Sequence, residues 1–384
     1  MSTGEAVKVN DTLYLDHNAT TPLLPSVLDA MLPYLSEHFG NPSSDHALGR
    51  RAHGAVENAR EQVADLLGAL PDEIVFTSGG TESNNLAVRG STRAGAHARR
   101  TIVTSSVEHP ATVQPLARLE SAGWKVTRLS ATAAGSIALG ELASSIDDTV
   151  ALVTIMLAQN ETGALLPVAE AGDVARAVGA VMHTDAAQAI GKIPVRVEDL
   201  NVDLLSLAGH KFNAPKGVGA LYVRRGTSLS PVLLGASQER GIRPGTENVA
   251  GIVALGAAAV AASTELVERS RHYGDLRDAL WEQLWAAIPG ITRHTPEHAL
   301  PNTLSVSFPG VLGGDVLAHA PDLAASTGSA CHSGAEHPSA VLTAMGVAHA
   351  EAMGTVRLSL GHGSTAQNVL QAVCLLTRAF RAVA

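Results

Sequence analysis

Two cysteines in 384 residues, Cys331 and Cys374, are too few for a disulfide framework and lack the pairing of a structural zinc site. A reducing, cytoplasmic setting is the expectation. Aromatic side chains make up only 3%, and 36 acidic against 27 basic groups give a formal charge of -9. Base-stacking platforms and a phosphate-neutralising surface are therefore both lacking, which argues against nucleic acid as a direct partner. Apolar runs are short as well. Ile252 to Ala262, the longest, falls well below the ~20 residues that span a membrane, and the polar stretch Met1 to Asp11 has no apolar signal core. No membrane association is expected. Lysine is scarce, five in all, and Lys8, Lys125 and Lys192 show no cluster of polar neighbours in the sequence.

What the chain does have is a 46% hydrophobic content with 36 glycines and only 16% charged residues. At this length that composition builds a large, tightly packed core and more than one domain. From about Pro22 to Val223 short β-branched runs alternate with helical segments, the order that produces a mainly parallel sheet covered on both faces. The predicted strands are Ile74–Thr77, Thr101–Thr104, Lys125–Leu129, Ala151–Ile155, Ala180–His183, Leu204–Leu207 and Gly219–Val223. Several run directly into polar residues, and in open α/β sheets ligands collect at the carboxyl ends of strands. Beyond Asn248 an Ala-rich helix to about Ala262 and a charged helical stretch to Leu284 precede a break at Pro289-Gly290. A second domain follows, with strands at Thr303–Phe308 and Thr355–Leu360 and a Gly/Ser-rich loop at Ser326–Gly334 between them.

Four constellations carry candidate chemistry. Ser78-Gly79-Gly80-Thr81 lies between a strand and a helix, where free N–H groups and the helix dipole suit either a phosphate or an ordinary cap. Asp185 follows a strand and fits an N-cap or a partner for a protonated cofactor ring nitrogen. Lys211, in Gly209-His210-Lys211, follows the apolar stretch Asp203 to Ala208, which lowers the pKa of an amine and suits Schiff-base chemistry; a capping lysine fits the same position. Cys331 sits among small residues, Ser326 to Gly334, the setting of a reactive thiol, whereas Cys374 reads as buried helix packing. A metal site of Cys331, His332 and His337 has too few suitable ligands to be favoured.

These residues, together with Asp16-His17-Asn18-Ala19-Thr20-Thr21, Gly40-Asn41-Pro42-Ser43-Ser44, Ser106-Val107-Glu108-His109, Asn160-Glu161-Thr162-Gly163, Arg243-Pro244-Gly245-Thr246-Glu247-Asn248 and Gly328-Ser329-Ala330-Cys331, stand in the order found in cysteine desulfurases. The chain resembles that family over nearly its whole length. These are pyridoxal 5'-phosphate (PLP) enzymes of the class V aminotransferase superfamily, and the resemblance implies the α/β PLP fold type I. The implied division is an N-terminal segment, 1–21, packing with the small domain, a large PLP-binding domain, 22–262, and a small C-terminal domain, 263–384, carrying the Cys331 loop.

By the same resemblance Lys211 is the Schiff-base lysine, His109 stacks on the ring and takes part in catalysis, Asp185 pairs with the ring nitrogen and Gln188 meets the ring hydroxyl. Gly80, Thr81 and His210 hold the phosphate, joined by Thr246 from the neighbouring subunit of a homodimer. Asn160 and Arg357 orient the substrate, and Cys331 takes the sulfur as a persulfide that passes to an acceptor protein, leaving L-alanine from L-cysteine. Two features depart from the simplest match. Ala208 stands where the family commonly has a serine that binds phosphate. Ala330-Cys331-His332-Ser333 and Val153 to Ala158 are also similar to selenocysteine lyases, so release of selenium from L-selenocysteine is the alternative reading, ahead of transamination.

Overall fold

A computed structural model describes residues 12–94, 99–327 and 337–384. A short strand, β1 (Leu13–Tyr14), and helices α1 (Pro25–Ser36) and α2 (Ala47–Leu67) lead into alternating elements. These are β2 (Ile74–Thr77), α3 (Gly80–Ala94), β3 (Thr101–Ser105), α4 (Pro110–Glu120), β4 (Lys125–Leu129), α5 (Leu139–Ser145) and β5 (Val150–Thr154). Next come α6 (Val168–Val178), β6 (Val181–Asp185), β7 (Leu204–Ala208), β8 (Gly219–Val223) and the long helix α7 (Val249–Ala287). The remainder comprises β9 (Thr292–Arg293), β10 (Thr303–Ser307), α8 (Gly313–Ala318), β11 (Leu323–Ala324), α9 (Ala340–Ala344), α10 (His349–Met353), β12 (Thr355–Ser359) and α11 (Ala366–Val383).

Seven strands form one sheet in the order β2-β8-β7-β6-β5-β3-β4. All run the same way except β8, which is antiparallel to both β2 and β7. The link from Ala208 to Gly219 is too short for the helical crossover that a parallel return requires, so β8 folds straight back. Strand β5, Val-Ala-Leu-Val-Thr, is buried at every position, as expected of a strand covered on both faces. One consequence positions the site: the carboxyl ends of β2, β3, β5, β6 and β7 all lie on one edge of the sheet. The loops that begin at Ser78, Ser106, Ile155, Ala186 and Gly209 therefore open together.

The core has two principal parts. Phe76, Val103, Val153, Met182 and Leu207 belong to the first, beneath the large sheet, and Leu304, Val306, Phe308, Val356 and Leu358 to the second, around β10 and β12. Helix α7 contributes to both, Leu255 and Ala259 to one and Leu280 and Leu284 to the other. The sequence pattern suggested two helical stretches; no proline interrupts them, and they form one helix that ends before Pro289. By length and composition α7 could cross a membrane, yet half of its most apolar stretch is buried, and it packs along α1 and α2. Cys374 is a correction. It is exposed, because α11 turns Val369, Ala372, Leu375, Leu376 and Ala379 inward and leaves position 374 on the outer face.

Residues 12–21 begin in the second core, to which Leu13 and Leu15 belong. β1 pairs with β11, Asp16 bridges to Ser359, and the Asn18 side-chain amide donates to Thr303 Oγ1 (2.8 Å) and the Asn160 carbonyl (3.1 Å). A second anchor lies on the far side of β2. Arg60 donates to both carboxylate oxygens of Glu239 (2.8 and 2.7 Å) and to the Ile74 carbonyl (2.8 Å), and Glu239 also accepts from the Phe76 amide. Both side chains are buried, and the chain at Glu239 and Arg240 adopts positive φ, 46° and 57°. Glu239→Ala would strand a buried guanidinium, so it is expected to cost about 3–5 kcal/mol in urea unfolding. Glu120→Ala, which breaks the surface pair with Arg128, is expected to cost under ~1 kcal/mol.

Candidate active site

A cavity of about 410 Å³ opens at the carboxyl edge of the sheet, lined by residues from five of those loops, from the 12–21 segment and from β12. Its floor at one end is the start of α3. Gly79 has φ +142°, a conformation only glycine takes readily, and this bend starts the helix at Gly80. The first-turn N–H groups of Gly80 and Thr81 have no helical carbonyl to meet, and both residues line the cavity. Position 208 is part of the same floor: a Cβ added to Gly80 would lie 3.2 Å from the Ala208 methyl. The side chain of residue 208 thus packs under the helix start and supplies no donor.

Asp185, at the end of β6, does two things at once. Its Oδ1 accepts from the Ala187 amide (3.0 Å), the local cap, while Oδ2 accepts from Asn84 Nδ2 (2.6 Å) and the residue faces the cavity. Glu108 lies nearby, fully buried, with Oε1 accepting from Ser105 Oγ and the Met156 amide. Burial pushes its carboxyl up to about 8, helped by the charge of Asp185. At neutral pH Glu108 is protonated, so Asp185 does not share the region with a second anion.

His109 caps α4, its Nδ1 accepting from the Ala111 amide (3.1 Å), so the neutral ring carries its proton at Nε2. Burial lowers its pKa; Asp185 opposes and Lys211 adds to this. Lys211 ends a short 3-10 turn after β7, and its Nζ donates to the carbonyls of Asn18 (2.6 Å) and Ala19 (2.9 Å). Burial first, then the nearby Arg357, brings this amine down to about 8, against the pull of Asp185 and Asp16. Neighbouring His210 approaches Thr20 Oγ1 through Nδ1 (3.2 Å), and burial with the charges of Lys211, Lys216 and Lys192 holds it near 4, a neutral ring.

Opposite Lys211, Arg357 donates from Nη1 to the Asn160 carbonyl (3.0 Å) and from Nη2 to Asp16 Oδ1 (2.6 Å). Each of these nitrogens keeps a second hydrogen, which leaves a fork able to take a carboxylate. Gln188 donates to the Asn18 carbonyl (3.0 Å). Of the expected residues, Gly80, Thr81, His109, Asn160, Asp185, Gln188, His210, Lys211 and Arg357 all line this one cavity. Thr246 does not; it is exposed, on the loop that Arg243 ties to α3 through Glu82 (2.9 Å). Cys331 and His332 lie outside the described residues. The chain enters that segment beside Arg357, since Ser326 and Arg357 bond main chain to main chain. Among the described residues no group of three or more His, Cys, Asp or Glu is placed to hold a metal.

Sequence reasoning missed Asp16, Asn18, Asn84 and Lys192. The signal for Asn84 was a polar residue on the buried face of an amphipathic helix. Lys192 is a correction: far from lacking polar neighbours, it is 4% exposed and bonds Gln188 Oε1 (2.8 Å) and Asn18 Oδ1 (3.3 Å).

A mainly parallel sheet with a helix N-terminus, a strand-end carboxylate and a lysine of lowered pKa around one cavity has the elements of an enzyme active site. The sequence profile of the class-V aminotransferases matches residues 13–371, and the chain belongs to that family. Relatives 42–46% identical to this chain are named cysteine desulfurases. It is 45% identical to cysteine desulfurase IscS of Methanosarcina thermophila, over 95% of this chain and 91% of that one. It is 43% identical to cysteine desulfurase NifS of Azotobacter vinelandii, over 93% and 90%. Among solved structures, a NifS-like protein superposes with a TM-score of 0.91 at 37% identity, over 97% of this chain and all of the other. Another, SspA in complex with cysteine, gives 0.82 at 37% identity, over 92% of this chain and 100% of that one.

Proposed function

We propose that this chain is a PLP-dependent cysteine desulfurase that converts L-cysteine to L-alanine and carries the sulfur as a persulfide on Cys331. The observation that carries the reading is the convergence of the α3 N-terminus, Asp185, Lys211 and Arg357 on one cavity. The donor set fits PLP: main-chain N–H groups at a helix start for the phosphate, a carboxylate for a protonated ring nitrogen, and a lysine with a lowered pKa. When bound, PLP supplies an electron sink for the α-carbon of the amino acid.

On this reading the N–H groups of Gly80 and Thr81, with the neutral His210 ring, bind the phosphate, and Ala208 adds no bond. Asp185, held by Asn84 and the Ala187 amide, accepts the ring N–H. His109, fixed as a cap, lies against the ring, and Gln188 meets the ring hydroxyl. Arg357, braced by Asp16 and the Asn160 carbonyl, takes the substrate carboxylate end-on. Lys211 Nζ, its pKa lowered by burial to about 8, is able both to accept and to return the α-carbon proton. The Cys331 thiolate attacks the substrate sulfur; the S–S bond forms as the C–S bond breaks, and the pair left on carbon takes a proton to give alanine.

Thr246, outside its own chain's cavity, is assigned to the phosphate of a second copy in a homodimer. The division into a large domain, 22–262, and a small one, 263–384, with 1–21 packing against the small one, belongs to the same reading. The test is to incubate the protein with L-cysteine and no reductant. One equivalent of alanine should form, and the peptide bearing Cys331 should gain ~32 Da, one sulfur atom. Inhibition by cysteine with turnover of selenocysteine would replace this reading with a selenocysteine lyase, and alanine without the mass gain would remove Cys331 from the reaction.

A further inference from the structure

Lys192 is the one fully buried lysine among the described residues, and no carboxylate pairs with it. The turn after β6 brings it there. Gln188 and Lys192 are four residues apart in a helix-like stretch, where Ile190 and Ile193 donate back to Ala186 and Ala189, so their side chains share a face. Gly191, at φ +73°, is packed where a Cβ would meet the Phe212 Cβ at 3.1 Å, and this bend carries Lys192 inward.

Lys192 Nζ donates to Gln188 Oε1 (2.8 Å), and Gln188 Nε2 donates to the Asn18 carbonyl (3.0 Å), the same oxygen that accepts from Lys211 (2.6 Å). Lys192 also reaches Asn18 Oδ1 (3.3 Å), which Asn302 holds from the other side (3.1 Å). An amide has two ways to sit, and its two neighbours select the same one: the Asn18 carbonyl can only accept, so Nε2 faces it, and Lys192 Nζ donates to Oε1, which leaves the second hydrogen of Nε2 for the cavity. We propose that Lys192 is a positioning residue that locks the Gln188 amide with its NH2 group toward the cavity, so that Gln188 donates a hydrogen bond to the cofactor's ring hydroxyl oxygen. This rests on PLP being the cofactor, as proposed above. Burial disfavours the cationic form of Lys192, as do the charges of Lys211 and Arg357; the neutral amine still donates to Oε1.

A donor on the ring oxygen stabilises its anionic form. With Lys192→Met the Gln188 Oε1 loses its donor and only the Asn18 carbonyl holds the amide, so the amide turns more readily, and a carbonyl facing that oxygen disfavours the anion. The pH midpoint of the holoenzyme's visible absorption band is expected to rise by about one unit, the scale of one hydrogen bond to a charged group. The same substitution in a Gln188→Leu background is expected to move the midpoint no further, because the amide through which Lys192 acts is gone. A shift of equal size in both backgrounds would mean that Lys192 acts as a charge and would overturn the proposal, as would no shift in the wild-type background. Lys192→Gln, which keeps an N–H donor, is expected to hold the wild-type midpoint; it also replaces Lys192→Met if that variant does not fold, and a shifted midpoint there counts against the proposal. Wild-type protein with no visible band after incubation with PLP would instead overturn the cofactor reading, a result distinct from either.

Discussion

Lys211→Ala is expected to lower turnover of cysteine at least ~10⁴-fold, the loss typical of removing a group that both forms a bond and moves a proton. It should also abolish the visible band near ~420 nm that a lysine-bound cofactor gives. No other lysine of the described fold is placed to substitute. Lys125 and Lys216 are exposed, and Lys192 is bound to Gln188 and Asn18. Stability should survive, because an amine lowered to about 8 by burial is itself held at a desolvation cost in the folded state. Lys211→Arg should be as inactive as Lys211→Ala, since a guanidinium stays protonated and cannot act as a nucleophile. Full turnover in either variant would remove Lys211 from the reaction.

Cys331→Ser is the second. Cleaving the C–S bond of cysteine needs a thiolate to take the sulfur, and a serine hydroxyl is neither ionised nor thiophilic, so cysteine turnover should fall about a thousandfold or more. The comparison with selenocysteine sharpens it. Selenide leaves more readily, so the serine variant should keep measurable activity on that substrate while losing it on cysteine. A wild-type kcat/KM for cysteine far below that for selenocysteine would mark selenium as the proper substrate, and equal loss on both in the serine variant would mean that the thiol serves both reactions alike.

The sheet was legible because its strands carry the signal themselves: Ile74–Thr77, Lys125–Leu129 and Gly219–Val223 appear with the same ends in sequence and structure. The order and direction of strands were less so, since β8 turns back only because its connection is short. For the site, residues within contiguous motifs were readable, and the cavity brings nine of them together. Lys192 was misread because Gln188, four residues before it, reaches it only through the turn after β6 and its other partner, Asn18, is 174 positions away, and Asp16 was missed because its partner Arg357 lies 341 away. Cys374 was misplaced by one helical face. An apolar neighbourhood in sequence does not say which side of α11 turns inward.

The stretch from Leu13 to Thr21 has a further meaning for how the protein is made. Leu13 pairs with Leu323, and the Asn18 amide donates to Ser359 Oγ (2.9 Å), a residue synthesised 341 positions later. A chain still emerging from the ribosome can close the large sheet, whose strands end at Val223, long before those partners exist. Gln188 and Lys192 can hold Asn18 from the large sheet, but its bonds to Thr303 and Ser359 form only when β10 and β12 have arrived, and Arg357 comes with them. On the proposed reading, interrupted synthesis yields a chain with Lys211 and Asp185 but without Arg357, expected to be inert toward free cysteine rather than partly active.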